Sequence, residues 1–362
     1  MGLFDSLFGA KKSKSVLGID IGSSSLKVVQ LRSKGGVAVL ETYGELALGP
    51  YAGNEVGQAT SLPADKIAET LKDLLHEANA TTRECGVSIP FSRSLLTLIT
   101  LPRREDPGEQ KTVIDLEARK YIPVPVSEVQ LDSFIIPEND PAGNKNPDKV
   151  QVLLVAVHND ELKLLETAVK GADLAASFYE IEIFSTIRSV VNEPVKPVMV
   201  IDIGAGATKV YVVEHGIVAF SHNITRGGQD VTQAISTGNN LSLAKAEELK
   251  KQHGFSATMN GGYGRESIEL VFSSIFAEAR RVLAQYETAH QKSVSEIILT
   301  GGGGVTKELA EYATKTFSIQ VSVANPFNRV EAPEFMRPVL TDIGPEFAVA
   351  VGLALRKLEE LR

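Results

Sequence analysis

The sequence predicts an α/β protein of two duplicated α/β lobes facing each other, with an extra module inserted into the first. Three observations predict it. The segment LGIDIGSSSLKVVQL has a twin, VIDIGAGATKVYVV, in which Asp20-Ile21-Gly22 and Lys27-Val28 return as Asp202-Ile203-Gly204 and Lys209-Val210 at an offset of 182 residues. Self-similarity at long range is the mark of a repeated structural unit. Strand-length apolar runs alternate with amphipathic helical stretches in both halves. Finally, 362 residues exceed one ordinary core and suit about two domains of ~100–200 residues.

Each DIG copy reads as a buried strand, a tight turn of Gly, Ser or Ala, and a second β-branched strand. That is a hairpin, not the strand-to-helix entry of a dinucleotide fold. A helix follows over 64–80, with Ile67, Leu71, Leu74, Leu75 and Ala78 on one side. Residues 84–159 read as the inserted module, with strands near 85–89, 95–101, 130–136 and 150–158 and a helix near 108–120. Within it, PENDPAGNKNPDK at 137–149 reads as a mobile polar loop. A helix over 161–175 comes next. In the second half, 242–254 reads as a helix capped by Ser242 and stopped by Gly254, followed by a long helix over 266–290. A short strand at 296–300 runs into four glycines, and a last helix starts after Gly344-Pro345 with Phe347, Val351, Leu355 and Leu358 near one face. The resulting partition is 1–83 first lobe, 84–159 insert, 160–197 first lobe again, 198–230 second lobe, 231–275 outer subdomain, 276–340 second lobe again and 341–362 a return helix on the first lobe.

Composition narrows the function. Apolar residues at 43% and charged residues at 23% support a packed core and exclude global disorder. A net charge of −8 argues against a general nucleic-acid surface. Cys85 is the single cysteine, which excludes an internal disulfide and a cysteine zinc site and fits a reducing, cytoplasmic setting. The six histidines show no ligand spacing. No run approaches 18 consecutive apolar residues, so no transmembrane helix is expected. At the start, Leu3, Phe4, Leu7 and Phe8 share a helical face ahead of Lys11, Lys12 and Lys14. This segment either rests on an acidic membrane or is a frayed end or short packing segment.

The paired hairpins point to phosphate chemistry. Gly22, Ser23, Ser24 and Ser25 in one turn, and Gly204, Ala205 and Gly206 in the other, let backbone N–H groups approach anionic oxygens. Asp20 and Asp202 end the two strands, where carboxylates hold Mg²⁺, normally through water. Lys27 follows the first turn, either aimed inward or facing outward from its strand. Gly227 and Gly228 precede Asp230 and Thr232 as a second close backbone approach. Glu247 and Lys250 lie three apart on one helix face, suited to ribose hydroxyls and to a base or phosphate, or else to an ordinary solvated pair. Gly301, Gly302 and Gly303 would let backbone lie flat against an adenine, or form a plain turn. A Walker-type site is excluded because no G-x-x-x-x-G-K-[ST] occurs.

The order DIG, DIG, GG-x-D-x-T, AE-x-x-K and a late GGG resembles the actin-like ATPase superfamily, which includes actin, Hsp70 chaperones, sugar kinases and FtsA. The resemblance implies an actin-like fold around an interlobe cleft holding ATP and Mg²⁺. Asp20 and Asp202 match the phosphate-motif aspartates, Glu247 and Lys250 the ribose and base contacts, and Gly301 to Gly303 the adenosine motif. Within the superfamily, the run EARKYIPVPVSEVQLDSFII at 117–136 resembles the PilM family of type IV pilus assembly proteins, as do the start GLFDSLFG and the place of the insert. PilM relatives usually carry D-x-E-P-x-A-x-x-R after the insert. Here residues 180–188, EIEIFSTIR, keep Glu182 and Arg188 and lose the rest. Glu182 is then either the residue that orders an attacking water, with any turnover slow, or a structural glutamate at a helix start. The PilM resemblance implies a cytoplasmic scaffold at the inner membrane whose partner is the N-terminal peptide of PilN, bound between first lobe and insert. Competing readings are an FtsA-like filament protein, which the ending KLEELR just after the last helix argues against, and a small-molecule kinase of the same superfamily.

Overall fold

The computed structural model describes residues 15–136, 146, 148–192, 195–256 and 263–361. Leu3, Phe4, Leu7, Phe8, the first lysines and most of the loop at 137–149 lie outside the described residues. The first lobe opens with an antiparallel meander of β1 (Ser15–Ile21), β2 (Ser25–Lys34) and β3 (Val37–Ala47). α1 (Ala64–Glu77) buries Ile67, Leu71, Leu74 and Leu75, the stripe its periodicity predicts. β4 (Glu84–Ile89) pairs with β1 in parallel. Read from sequence as part of the insert, this strand instead belongs to the first lobe's sheet. Its ECGVSI run is buried on both faces, as a central parallel strand requires, and local sequence does not name its partner.

The insert follows as β5 (Ser94–Pro102), α2 (Pro107–Ala118), β6 (Val129–Ile135) and β7 (Lys149–His158). Its three strands are antiparallel in the order β5-β7-β6, and Ile114 and Ala118 of α2 share a separate small core with Ile99, Val152 and Leu154. α3 (Asn159–Gly171) returns to the first lobe, where β8 (Ala175–Ile181) pairs with β4 in parallel and leads directly into α4 (Glu182–Val190).

The second lobe repeats this plan. β9 (Val198–Ile203), β10 (Thr208–Glu214) and β11 (Ile217–Ile224) form its meander. α5 (Gly228–Asn239), α6 (Leu243–His253) and α7 (Tyr263–His290) follow. β12 (Glu296–Thr300), α8 (Leu309–Phe317) and β13 (Val321–Val323) complete it. The sheet orders β3-β2-β1-β4-β8 and β11-β10-β9-β12-β13 are the same topology twice. The copy extends to register: Asp20 faces Lys27 across the first hairpin, and Asp202 faces Lys209 across the second. The turns close alike, with the Gly22 N–H donating to the Ser25 carbonyl at 3.1 Å and the Gly204 N–H to that of Ala207 at 2.9 Å. At the base of the cleft, Val200, Tyr211 and Val213 join the apolar cluster of Leu17, Ile19 and Leu26, so the lobes share one core there.

α9 (Arg337–Ile343) and α10 (Ala348–Glu360) close the chain back onto the first lobe. By length and composition Glu334–Glu360 is apolar enough to cross a membrane, which a search for unbroken apolar runs misses. In the fold it is a core segment: Ala350, Val351, Leu353 and Ala354 are fully buried, and α10 lies on β1 and α4. The approach is close enough to demand glycine. A Cβ on Gly18 would overlap the Ala350 carbonyl, and one on Gly352 would overlap that of Ser185. Gly352→Ala is therefore expected to lower stability by about 1–3 kcal/mol, the usual penalty of overpacking, read as a lower urea midpoint at unchanged m-value.

Candidate functional site

A cavity of about 590 Å³ lies between the lobes. Its walls collect Asp20, Gly22, Ser23, Ser24, Ser25 and Lys27 from the first hairpin and Asp202, Gly204 and Ala205 from the second. Glu182, Gly228, Glu247, Lys250, Gly301, Gly302 and Gly303, also singled out in the sequence, line it too. Gly206 and Gly227 stand just behind the lining. Gly206 abuts Ala59 and Ser23, and Gly227 lies so close to the Gly204 and Ala205 carbonyls that a Cβ would strike them.

Asp20 and Asp202 end equivalent strands, and β1 and β9 carry them to opposite walls. Each is almost fully buried, at 8% and 6% exposure. Asp20 Oδ1 accepts from Ser88 Oγ at 2.9 Å, and among the described residues it has no ion-pair partner. Burial therefore pushes its carboxyl above the ordinary range, although Lys27 draws it back. Glu182, the first residue of α4, is held on both oxygens: Oε1 accepts from the Phe91 N–H at 2.7 Å and Oε2 from Lys209 Nζ at 2.8 Å. Burial raises its pKa, with Asp202 and Asp20 adding to the effect and Lys209 opposing it. Lys209 also lies 3.4 Å from Asp202; burial works against its charge, but Asp202 and Glu182 together hold the ammonium well above the usual lysine range. Lys27 points inward too, donating to Ser25 Oγ at 2.6 Å and pairing with Glu45 at 3.1 Å.

On the second lobe, Thr232 Oγ1 donates to Glu247 Oε2 at 2.5 Å and accepts from Lys250 Nζ at 2.9 Å, while Lys250 also donates to the Gly228 carbonyl at 3.1 Å. The GG-x-D-x-T and AE-x-x-K motifs thus interlock, and Glu247 is a buried pair member, not a solvated helix residue. Burial opposes its charge, but Lys250 keeps the Glu247 carboxyl below the ordinary range. The glycine loop after β12 folds onto the second hairpin. Gly301 has φ +77° and a Cβ there would strike the Asp202 carboxylate, while the Gly303 N–H donates to the Ile203 carbonyl at 2.8 Å.

Sequence reasoning missed several wall residues. Glu45 faces Lys27 across β2 and β3, a register that becomes visible only once β3 is recognised. Ser88 reaches Asp20 from β4, and Glu346 reaches the cavity from the turn before α10. Both come from distant stretches that carry no local signal. Burial and the nearby Glu45 raise the Glu346 carboxyl above its usual range.

For a divalent cation the donor set offers two facing carboxylates, of which Asp20 lacks a cationic partner. Among the described residues no three His, Cys, Asp or Glu side chains form a ready-made metal cage. That pattern fits a hard cation held largely by water and ligand oxygens.

This two-lobed fold is the actin-like ATPase fold. It is shared by MreB5 of Spiroplasma citri solved with ADP, at a TM-score of 0.55 and 12% identity over 96% of this chain and 97% of that one. Cell division protein FtsA of Neisseria meningitidis is 22% identical over 84% of this chain and 68% of its own length. The FtsA of Buchnera aphidicola is 22% identical over 88% and 86%. A solved PilM–PilN type IV pilus biogenesis complex contains a chain with a TM-score of 0.80 and 29% identity, covering 95% of this chain and 98% of that one. The model of the family of type IV pilus assembly protein PilM matches residues 18–358, and the chain belongs to that family.

The uncompensated carboxylate makes a measurable prediction. Asp20→Asn keeps an acceptor for Ser88 and removes a buried charge, so the variant should be more stable than the native protein at pH 7. Because burial raises the folded pKa of Asp20 above that of a free aspartate, its cost is absent below the free value and grows as pH rises through the folded pKa. The stability gain of Asp20→Asn should shrink on acidification toward pH ~4, as followed by urea midpoints across pH; a gain independent of pH would contradict the assignment.

Proposed function

We propose that the chain binds ATP with Mg²⁺ in the interlobe cavity and serves type IV pilus assembly as a cytoplasmic scaffold at the inner face of the membrane. The observation that carries this reading is the placement of Asp20 and Asp202, at matching ends of duplicated hairpins, on opposite walls of one cavity. The two glycine turns would take the phosphate oxygens through backbone N–H groups, with Lys27 as a cationic neighbour. Mg²⁺ would be held by Asp20 and Asp202 and would supply the positive charge that Asp20 lacks. Glu247 is aligned by Thr232 and Lys250 to accept from ribose hydroxyls, and the flat Gly301–Gly303 backbone would support the base. Glu182, with both oxygens committed to Phe91 and Lys209, orders the wall and holds an attacking water only if Lys209 is drawn away, so turnover is slow or absent.

The partner in this proposal is the N-terminal cytoplasmic peptide of PilN, and support comes from the solved PilM–PilN type IV pilus biogenesis complex, one chain of which shares this fold at a TM-score of 0.80. A short peptide of this kind adds main-chain hydrogen bonds and a few apolar anchors. It would sit between the first lobe and the insert, so that nucleotide in the cleft shifts the partner surface by differential affinity for two lobe arrangements.

Titration calorimetry with ATP tests the site. Glu247→Ala should weaken binding by about 10–150-fold, the equivalent of ~1.5–3 kcal/mol for a charged hydrogen bond. An unchanged dissociation constant removes Glu247 from the site. Asp202→Ala should lose the Mg²⁺-dependent part of the affinity selectively, and equal losses with and without Mg²⁺ would remove the metal from the scheme.

A further inference from the structure

The first hairpin turn is overlain by a segment that the sequence did not mark. After β3 the chain turns through Gly49–Ala52 and loops back to α1. Both ends are stitched to the phosphate turn: the Leu48 N–H donates to the Ser24 carbonyl at 2.9 Å and the Thr60 N–H to that of Ser23 at 2.8 Å. In the second lobe the same place over the turn belongs to the start of α5, where the Gly228 and Gln229 N–H groups donate to Gly204 and Ala205, each at 2.9 Å. The second lobe continues from there into a helix, whereas the first lobe puts out a loop that crosses the cleft.

Its tip meets the second lobe at three points. Glu55 Oε2 accepts from the Ala244 N–H at 2.7 Å, in the first turn of α6. The Ala59 N–H donates to Gln229 Oε1 of α5 at 3.1 Å. Gly57, at φ +90°, lies against the Glu247 carboxyl, where a Cβ would come within 2.9 Å. Val56 and Gly57 line the cavity itself, and Val56 is half exposed. The cross-cleft fastening described here thus rests on two backbone-to-side-chain hydrogen bonds and the Gly57 contact. Such a contact opens without disturbing either core.

We propose that residues 49–62 form a strap that gates nucleotide exchange, and that Glu55 is the positioning residue that fastens it. The proposal rests on the nucleotide reading of the cavity. Glu55 touches no ligand; it acts through α6, whose next turn carries Glu247 and Lys250, and through the strap, whose tip stands beside Glu247. A carboxylate at the first turn of α6 also meets the positive end of the helix. Because the strap runs from the first lobe to the second beside the cavity that Val56 and Gly57 line, it restricts entry as well as release.

The test uses the whole chain and a fluorescent mant-ATP with Mg²⁺ in stopped flow. Glu55→Ala should speed both association and release by roughly 5–10-fold, the equivalent of a lost helix cap. Glu55→Gln, which keeps an acceptor for Ala244, should remain near the native rates. Release that accelerates while association stays unchanged would overturn the gate, and so would rates within twofold of native. Hydrogen exchange of the ligand-free protein reads the fastening without nucleotide: the Ala244 amide should exchange faster in Glu55→Ala, and unchanged protection overturns the strap whatever the cavity binds. Failure of the native protein to bind mant-ATP, with the Ala244 effect intact, would instead sink the nucleotide reading and the gate with it, leaving only the latch.

Discussion

Asp20, Asp202 and Glu182 are drawn out of water into the same crevice, and one ammonium, that of Lys209, answers two of them. Removing a carboxylate from water costs several kcal/mol unless a partner repays it, and neighbouring like charges raise the cost further. The fold accepts this because the strands that deliver the acids are fixed by apolar packing beneath them. Leu17, Ile19, Val200 and Tyr211 belong to one continuous cluster at the base of the cleft. Asp20 accepts from the Ser88 hydroxyl and, among the described residues, has no ion-pair partner, Lys27 and Lys209 acting on it only from farther away. Burial therefore still outweighs the nearby lysines at Asp20, and a ligand that brought a cation, as proposed above, would relieve it.

The return helix makes that geometry rigid. α10 can lie on β1 and α4 because Gly18 and Gly352 leave no side chain in the way. From α10, Arg356 reaches Glu180 at 2.7 Å, and Arg188 binds the same carboxylate through two 2.8 Å contacts. Burial works against the Glu180 charge, but Arg188 prevails and holds its carboxyl below the ordinary range. Glu180 stands two residues before Glu182. The last helix of the chain thus fixes the strand end that carries Glu182 into the cleft, linking a stability feature directly to the site.

Legibility tracked the physics of each signal. The two hairpins were readable because a tight turn needs glycine and a buried strand needs β-branched residues, and both needs recur at the same offset. α6 was readable from its Ser242 cap and Gly254 stop, and the structure places the cap where expected, with Ser242 Oγ accepting from the Lys245 N–H. β3, β8 and β13 went unnoticed because half-exposed strands mix polar and apolar residues without clean alternation. β4 was seen but misplaced, since a strand's sequence records its burial and not its neighbours. In the site, motif residues with small side chains or fixed spacing were found. Ser88, Glu45 and Glu346 were not, because their roles arise from long-range pairing alone. Glu182 was found through resemblance, yet its two partners, Phe91 and Lys209, lie 91 and 27 residues away.

Duplication gave two equal frames, and the chemistry of the cleft comes from where they stop being equal. Lys27 and Lys209 occupy the same register position, but Lys27 turns to Glu45 of its own sheet while Lys209 crosses to Glu182 of the other lobe. That crossing continues outward. Glu182 grips the Phe91 backbone at the turn that opens β5, and farther along β5 the Leu96 carbonyl accepts from Ser221 of β11 at 3.3 Å. The inserted sheet is thereby held from both sides, by the first lobe through Glu182 and by the second through β11. It therefore touches both of the lobes that line the cleft. If the partner surface includes the insert, as proposed above, these contacts would connect it to the cleft with no relay longer than one strand.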